Sequence, residues 1–136
     1  MIKSHLLRCR KGSATIEFAL LAPALVLMLV GGFELSRLMW VRQTLAEVAY
    51  NTARCMSVST TCDTADRQKA HAVERAAQYD LAITKTQVEP IGETICKSVP
   101  RSSSVKIRFT FISPLQGLLN QTPDLLQAGA CYPNFA

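Results

Sequence analysis

The feature that most constrains this chain is an uninterrupted apolar run near its start. Phe18 to Phe33 is sixteen residues without a charge. With the flanking residues, the predicted membrane span covers about residues 16–36, which is long enough for one helix to cross a bilayer. Glu17 lies directly before the run. A carboxylate at the mouth of a membrane segment is costly to desolvate, so Glu17 is a candidate functional residue.

A short basic leader, predicted over residues 1–12, precedes the run. It contains Lys3, Arg8, Arg10 and Lys11 and ends at Gly12. The rest of the chain holds eleven Lys and Arg against ten Asp and Glu, so the net charge of +5 belongs mostly to the leader. Nucleic-acid binding calls for a basic face on the folded domain, and this distribution argues against it. Basic residues before a span instead predict a cytoplasmic N-terminus.

The pattern after the apolar run is that of an amphipathic helix. No proline or helix-stopping cluster separates the two segments, so we predict one helix over residues 13–56. We expect its second half to pack against a small sheet. The apolar positions recur at three- and four-residue steps: Leu35, Leu38, Met39, Leu45, Val48, Ala49 and Thr52.

The remaining residues, 57–136, predict a small α+β domain with an antiparallel sheet. The clearest strand is Val105–Ile112, where apolar and polar residues alternate strictly. A final strand is predicted over 125–132. The weaker expectations are a helix over 65–79, a strand over 83–88, a turn at Pro90 and Gly92, a short strand over 95–99, a turn over 100–104, and a loop or short helical turn over 115–124.

Four cysteines follow the apolar run: Cys55, Cys62, Cys96 and Cys131. An even set in a small extracytoplasmic domain indicates two disulfides, and spacing alone allows three connectivities. We favour a local 55–62 bridge, which closes the loop at the end of the long helix, together with a 96–131 bridge. The alternative is that these cysteines are buried free thiols.

The sequence favours neither a metal site nor an enzyme. There is no CxxC pair, and His71 is the one histidine beyond the span. No nucleophile or carboxylate is placed in sequence to work with His71, and no phosphate-binding glycine loop is present. We therefore expect no cofactor, no metal and no small-molecule substrate.

The stretch from Gly12 and Ser13 to Glu17 and Phe18 resembles the TadE-like family of minor pilins (pseudopilins) of tight-adherence (Flp-type) pili. The resemblance is strongest over residues 10–54. It implies a pilin-like fold and cleavage by a prepilin peptidase between Gly12 and Ser13. Glu17 would then be the fifth residue of the mature chain, with Phe18 as the aromatic residue of the family motif. In such assemblies this glutamate is thought to meet the N-terminal amine of a neighbouring subunit.

The resemblance also implies partners and a location. The partners are the prepilin peptidase, the major pilin, other minor pilins and the inner membrane, with the C-terminal domain in the periplasm or in the extracellular pilus. One alternative is a pseudopilin of another secretion or uptake machine. Another is an unprocessed, membrane-anchored periplasmic binding module. A conventional signal peptide is disfavoured because no A-x-A site follows the apolar run.

Overall fold

The computed structural model describes residues 13–96, 98–113 and 125–134. The elements are helix α1 (Ser13–Val58), helix α2 (Ala65–Ala77) and strands β1 (Val88–Cys96), β2 (Val99–Thr110) and β3 (Leu125–Pro133), with short 3-10 turns at Thr60–Cys62 and Lys85–Gln87. The chain divides into two compact units, with the boundary inside α1 after Arg37. The predicted leader and the predicted 115–124 loop lie outside the described residues.

Helix α1 confirms the predicted long N-terminal helix. It runs for 46 residues without a break, two residues beyond the predicted end, and includes Pro23. Proline within a helix removes one backbone hydrogen bond, but neighbouring groups can compensate for this in membrane helices. The apolar run and the amphipathic segment are therefore parts of the same element.

The three strands form one antiparallel sheet in the order β1-β2-β3. In the central strand β2, Ile107 lies opposite Val88 of β1 and Ala128 of β3. Val105 and Ile107 are buried, whereas Lys106 and Arg108 between them are exposed. This alternation confirms the half-buried strand predicted from the sequence, although β2 ends at Thr110 rather than Ile112. The predicted α+β class is confirmed, and the predicted final strand is β3.

The hydrophobic core lies in the second unit, between α1, α2 and the sheet. Leu45, Val48 and Ala49 of α1 are fully buried, as are Ala72 and Ala76 of α2. The sheet contributes Val88, Val105, Ile107 and Leu126. The predicted apolar stripe is correct from Leu45 onward, and Leu38 is partly buried, but Leu35 and Met39 are more than half exposed, so the prediction is wrong at those two positions.

The strand predicted over residues 83–88 is wrong. Ile83 is buried in the core without pairing, and the chain then forms a 3-10 turn. Thr84 and Gln87 make a reciprocal capping box, in which the Thr84 backbone N–H donates to Gln87 Oε1 at 2.8 Å. These local side-chain bonds favour a helical turn over an extended strand. Only Val88, the last residue of the predicted strand, belongs to the sheet.

The turn predicted at Pro90 and Gly92 is also wrong, because both residues lie within β1. The strand is at the edge of the sheet, where proline is tolerated because its missing N–H need not pair. The register shifts between Ile91 and Glu93, so Gly92 lies at an irregularity in the ladder. Proline and glycine here indicate an edge strand with a bulge.

The remaining errors concern the start of β2. The segment 95–99 is not a strand of its own: it contains the reversal between β1 and β2, where Cys96 lies opposite Val99. The turn predicted over 100–104 is part of β2. Two of its buried serines have hydrogen-bonded hydroxyls, since Ser102 Oγ donates to the Val99 carbonyl and Ser103 Oγ donates to Asn134 Oδ1. Hydrogen bonding offsets the cost of burying such polar groups.

Candidate functional site

The first candidate site is the start of α1. The helix begins at Ser13, and Glu17 lies four residues further along. The Glu17 and Phe18 side chains are both exposed. Residues four apart lie on the same face of a helix, so Glu17 is one turn from the backbone nitrogen of Ser13. Gly12 lies outside the described residues.

The apolar run presents its side chains outward over the whole of the helix surface. Phe18, Leu27, Met28 and Phe33 are each about two-thirds exposed or more. The most apolar 18-residue window has a mean hydropathy of 2.2, and none of it is buried. A helix that is apolar all round requires a lipid or protein environment. Its length and composition suit a membrane crossing, which indicates that α1 is a membrane anchor.

Charge and burial change where the apolar run ends. The Arg37 guanidinium lies 3.9 Å from the Glu34 carboxylate, one turn apart on α1. In the second unit, Trp40 is about half exposed and Val41 is the first fully buried core residue. An aromatic residue near the end of a span is typical of the membrane–water interface.

Two disulfides link the elements of the second unit. Cys55, near the end of α1, is bonded to Cys62 in the Thr60–Cys62 turn, and their Cα atoms are 5.8 Å apart. Cys96, at the end of β1, is bonded to Cys131 of β3, with Cα atoms 6.2 Å apart. The first bond anchors the loop after the helix, and the second joins the two edge strands across β2.

Polar contacts also tie the end of α1 to the end of the sheet. Ser57 Oγ donates to Asn134 Oδ1 at 2.5 Å, and Ser103 Oγ donates to the same oxygen at 2.9 Å. The Asn134 backbone N–H donates to the Arg101 carbonyl at 2.8 Å. The Tyr50 and Tyr132 rings pack edge to face with centroids 5.8 Å apart. The C-terminal strand is therefore fixed to the helix by both hydrogen bonds and ring packing.

The second candidate site surrounds His71 on α2, and sequence spacing did not reveal it. A ring nitrogen of His71 and the two sulfurs of the Cys55–Cys62 pair all lie within 4.8 Å of one another. Burial lowers the pKa of His71, and the nearby Arg75 guanidinium lowers it further, which favours the neutral imidazole. Gln68, one turn before His71, donates from its side chain to the Cys62 carbonyl at 2.9 Å, and this contact between α2 and the turn is not indicated by any pattern in the sequence.

An open groove of about 420 Å³ is lined by α2 and the loop that follows it. Val73, Ala77, Leu81 and Ile83 supply most of its lining, with Asp80 at the side. The groove is predominantly apolar, and Asp80 is its one titratable lining residue among those that the structure describes. A single carboxylate offers neither a nucleophile–base pair nor a metal-ligand set.

Comparison with known proteins bears on the first candidate site. Residues 12–54 match the model of the TadE-like protein family. The predicted resemblance is confirmed over this segment, which is just under a third of the 136-residue chain. The TadE-like segment includes Gly12, Glu17, the whole apolar run and most of the buried stripe of α1. No curated protein and no solved structure matches the chain.

The TadE-like match is confined to the N-terminal part of the chain. It covers the helix and stops one residue before Cys55. The disulfides, α2, the sheet and the His71 cluster therefore lie outside the matched residues or at their edge. The match therefore supports conclusions about α1 and none about the sheet and α2.

Proposed function

We propose that this protein is a minor pilin or pseudopilin, a structural or assembly component of a tight-adherence (Flp-type) pilus or a related secretion machine. The observation that carries the proposal is the coincidence of two features in α1. The segment is TadE-like, and the same helix presents an unburied apolar surface that begins beside a carboxylate. A catalytic role would require a constellation of reactive groups, whereas an assembly role requires an exposed surface of this kind.

In this proposal the prepilin peptidase cleaves between Gly12 and Ser13. Glycine before the cut gives the peptidase a backbone without a side chain to accommodate. The mature chain then begins at the first residue of α1, with Glu17 one turn inside the helix. The leader is removed, and the new N-terminal amine becomes available to a neighbouring subunit.

Glu17 is proposed to pair with the N-terminal amine of the adjacent subunit when the helix leaves the lipid for the pilus. A carboxylate in an apolar environment is tolerated when it is paired and hydrogen-bonded. The exposed apolar side chains of the run would pack against the equivalent helices of the major pilin and other minor pilins. The same surface thus serves first as an anchor and then as a packing face.

The orientation follows from the charge of the leader. Basic residues before the span keep the N-terminus in the cytoplasm, which places the second unit in the periplasm. Disulfides persist in that oxidising compartment, in agreement with the two bonds in the domain. Before assembly the protein is accordingly an inner-membrane protein with a periplasmic domain.

Replacing Glu17 with alanine tests the assembly role. Glu17→Ala should leave membrane insertion intact, because it removes the cost of placing a carboxylate near lipid. The amount of protein recovered in sheared pili, or the pilus output, should fall. Immunoblots of membrane and sheared fractions measure both quantities.

Glu34→Ala is the matched control, since it removes the acidic residue at the other end of the apolar run. It should leave incorporation near the wild-type level. Normal incorporation of Glu17→Ala would contradict the pairing and would favour an anchored periplasmic module that never enters a filament.

A further inference from the structure

Three side chains that can bind a metal converge beside the end of α1. Cys55 belongs to α1, Cys62 to the 3-10 turn and His71 to α2. Their ligand atoms, two sulfurs and one ring nitrogen, all lie within 4.8 Å of one another. The disulfide itself joins Cys55 and Cys62, whereas the tertiary fold brings His71 of α2 beside them.

His71 supplies an independent sign that the cluster suits a ligand. Its Nδ1 atom is buried and has no hydrogen-bond partner among the residues that the structure describes. Buried ring nitrogens are normally hydrogen-bonded, and an exception calls for an explanation such as an ion. Neutral imidazole is also a common metal ligand in proteins.

The cluster is compact enough for one metal ion once the Cys55–Cys62 bond is reduced. Metal–sulfur bonds of about 2.3 Å and metal–nitrogen bonds of about 2.0 Å place tetrahedral ligand atoms roughly 3.3–3.8 Å apart. In the oxidised form the two sulfurs are bonded to each other, so reduction must let them move apart to this spacing, while the 4.8 Å limit keeps the His71 ring nitrogen within reach of both. Thr61 Oγ1 lies 3.6 Å from Cys55 Sγ and can donate a hydrogen bond to it.

We infer that Cys55, Cys62 and His71 bind one thiophilic metal ion, of the Zn²⁺ or Cu⁺ class, when the Cys55–Cys62 disulfide is reduced. Two thiolates and an imidazole form the donor set that these ions prefer. Metal binding and the disulfide are mutually exclusive, because the same two sulfurs serve both. The domain therefore has two alternative cross-links at the end of its long helix, one covalent and one coordinated.

The change from the disulfide to the metal-bound form can be driven by a dithiol that acts as the reductant. The dithiol supplies two electrons and two protons, its own sulfurs become a disulfide, and the Cys55–Cys62 bond opens to two thiols. The metal ion then displaces the two thiol protons as it binds the thiolates. On reoxidation a disulfide-forming partner accepts two electrons from the two thiolates and two protons from solvent, so that the partner becomes a dithiol, the Cys55–Cys62 bond re-forms and the metal ion is released.

The test uses the full chain in detergent micelles with Zn²⁺ as the probe. The protein is reduced with a phosphine, desalted without oxygen, and titrated against a chromophoric zinc chelator. We expect one Zn²⁺ per reduced chain and none for the oxidised chain. Cys96→Ala/Cys131→Ala, which removes the other disulfide, should still bind one Zn²⁺ after reduction.

His71→Gln tests the contribution of the imidazole. It should weaken Zn²⁺ binding by roughly tenfold or more, since even residues that only orient metal ligands contribute 10- to 100-fold. Ala77→Ser, an exposed and uncharged substitution on the same helix, should leave the affinity unchanged. Unchanged affinity in His71→Gln, or the failure of the reduced wild type to bind one ion, would overturn the inference.

Thiol protection in the wild type gives a second readout that does not depend on how well the variant folds. Bound Zn²⁺ should protect Cys55 and Cys62 from alkylation while Cys96 and Cys131 react, as peptide mapping by mass spectrometry would show. Equal alkylation of all four thiols in the presence of Zn²⁺ would refute the site.

Discussion

Removing the two disulfides one at a time should destabilise the C-terminal domain by different amounts. The Cys55–Cys62 bond joins residues 7 apart in sequence, and the Cys96–Cys131 bond joins residues 35 apart. In the chain-entropy description, a disulfide stabilises the folded state by lowering the conformational entropy of the unfolded chain, and a bond that closes a longer loop gives a larger stabilisation. The expected contributions are about 2.5 kcal/mol for the short loop and about 3.8 kcal/mol for the long one.

Burial complicates a direct comparison of cysteine variants. Cys62 is only 2% exposed, so replacing it with alanine also removes buried volume, at a cost of about 1 kcal/mol for one methylene-sized group. That cost would hide most of the expected difference of about 1.3 kcal/mol. The comparison should therefore be made within each variant, between its oxidised and reduced forms, where the sequence and the cavity are the same.

The assay follows urea unfolding of the full chain in a mild detergent, with a chelator present to exclude metal. The near-ultraviolet circular dichroism of Tyr50 and Tyr132, which pack together in the folded domain, reports the transition. Cys55→Ala/Cys62→Ala keeps the long-loop disulfide, and its free energy of unfolding should be about 3.8 kcal/mol higher in the oxidised than in the reduced form. Cys96→Ala/Cys131→Ala keeps the short-loop disulfide, and its free energy of unfolding should be about 2.5 kcal/mol higher in the oxidised than in the reduced form. Equal or reversed differences would refute the loop-length reasoning. Free thiols at the remaining cysteine pair of either oxidised variant, mapped separately from the unpaired Cys9, would refute the pairing.

Two further predictions concern the core and the orientation. Leu45→Ala should lower the free energy of unfolding by about 2–5 kcal/mol, because Leu45 is fully buried in the core that α1 forms with the sheet. The control Val58→Ala, at a position that is 60% exposed, should change the free energy of unfolding by less than about 0.5 kcal/mol. Equal effects of the two substitutions in the same urea titration would show that the core is wrongly placed. A phosphatase reporter fused after Ala136 should be active and a cytoplasmic reporter at the same point silent; the opposite pattern would contradict a periplasmic domain.

The helix and its buried stripe were predictable because they depend on local periodicity. An apolar run followed by three- and four-residue steps specifies a helix wherever the chain continues without a breaker. The exposure of Leu35 and Met39 was not predictable in this way. Periodicity identifies a face, but only the position of the sheet decides how far along the helix that face is covered.

The predicted strand boundaries were wrong where the three-dimensional context overrides the usual conformational preference of a residue. Pro90 and Gly92 favour a turn in isolation, but an edge strand with a bulge accommodates both. The serines before Val105 lack strand propensity, yet Asn134 and Val99 satisfy the hydroxyls of Ser103 and Ser102. These partners are distant in sequence or depend on the hairpin, so composition could not reveal them.

The two candidate sites also differ in whether they depend on local sequence or on the tertiary fold. The Glu17 site depends on a contiguous motif and was visible in the sequence. The cluster at His71 depends on α2 folding back beside the Cys55–Cys62 loop, with Gln68 bonded to the Cys62 carbonyl. Its cysteine and histidine spacing matches none of the common zinc motifs, which is why the sequence argued against a metal site.

The mass of the mature N-terminal peptide tests the central proposal most directly. The protein should be extracted from membranes of cells with an active prepilin peptidase and from cells that lack it, then digested and analysed by mass spectrometry. We predict that Ser13 is the first residue in the former and that the leader through Gly12 remains in the latter. Retention of residues 1–12 in cells with an active peptidase would contradict the pseudopilin account.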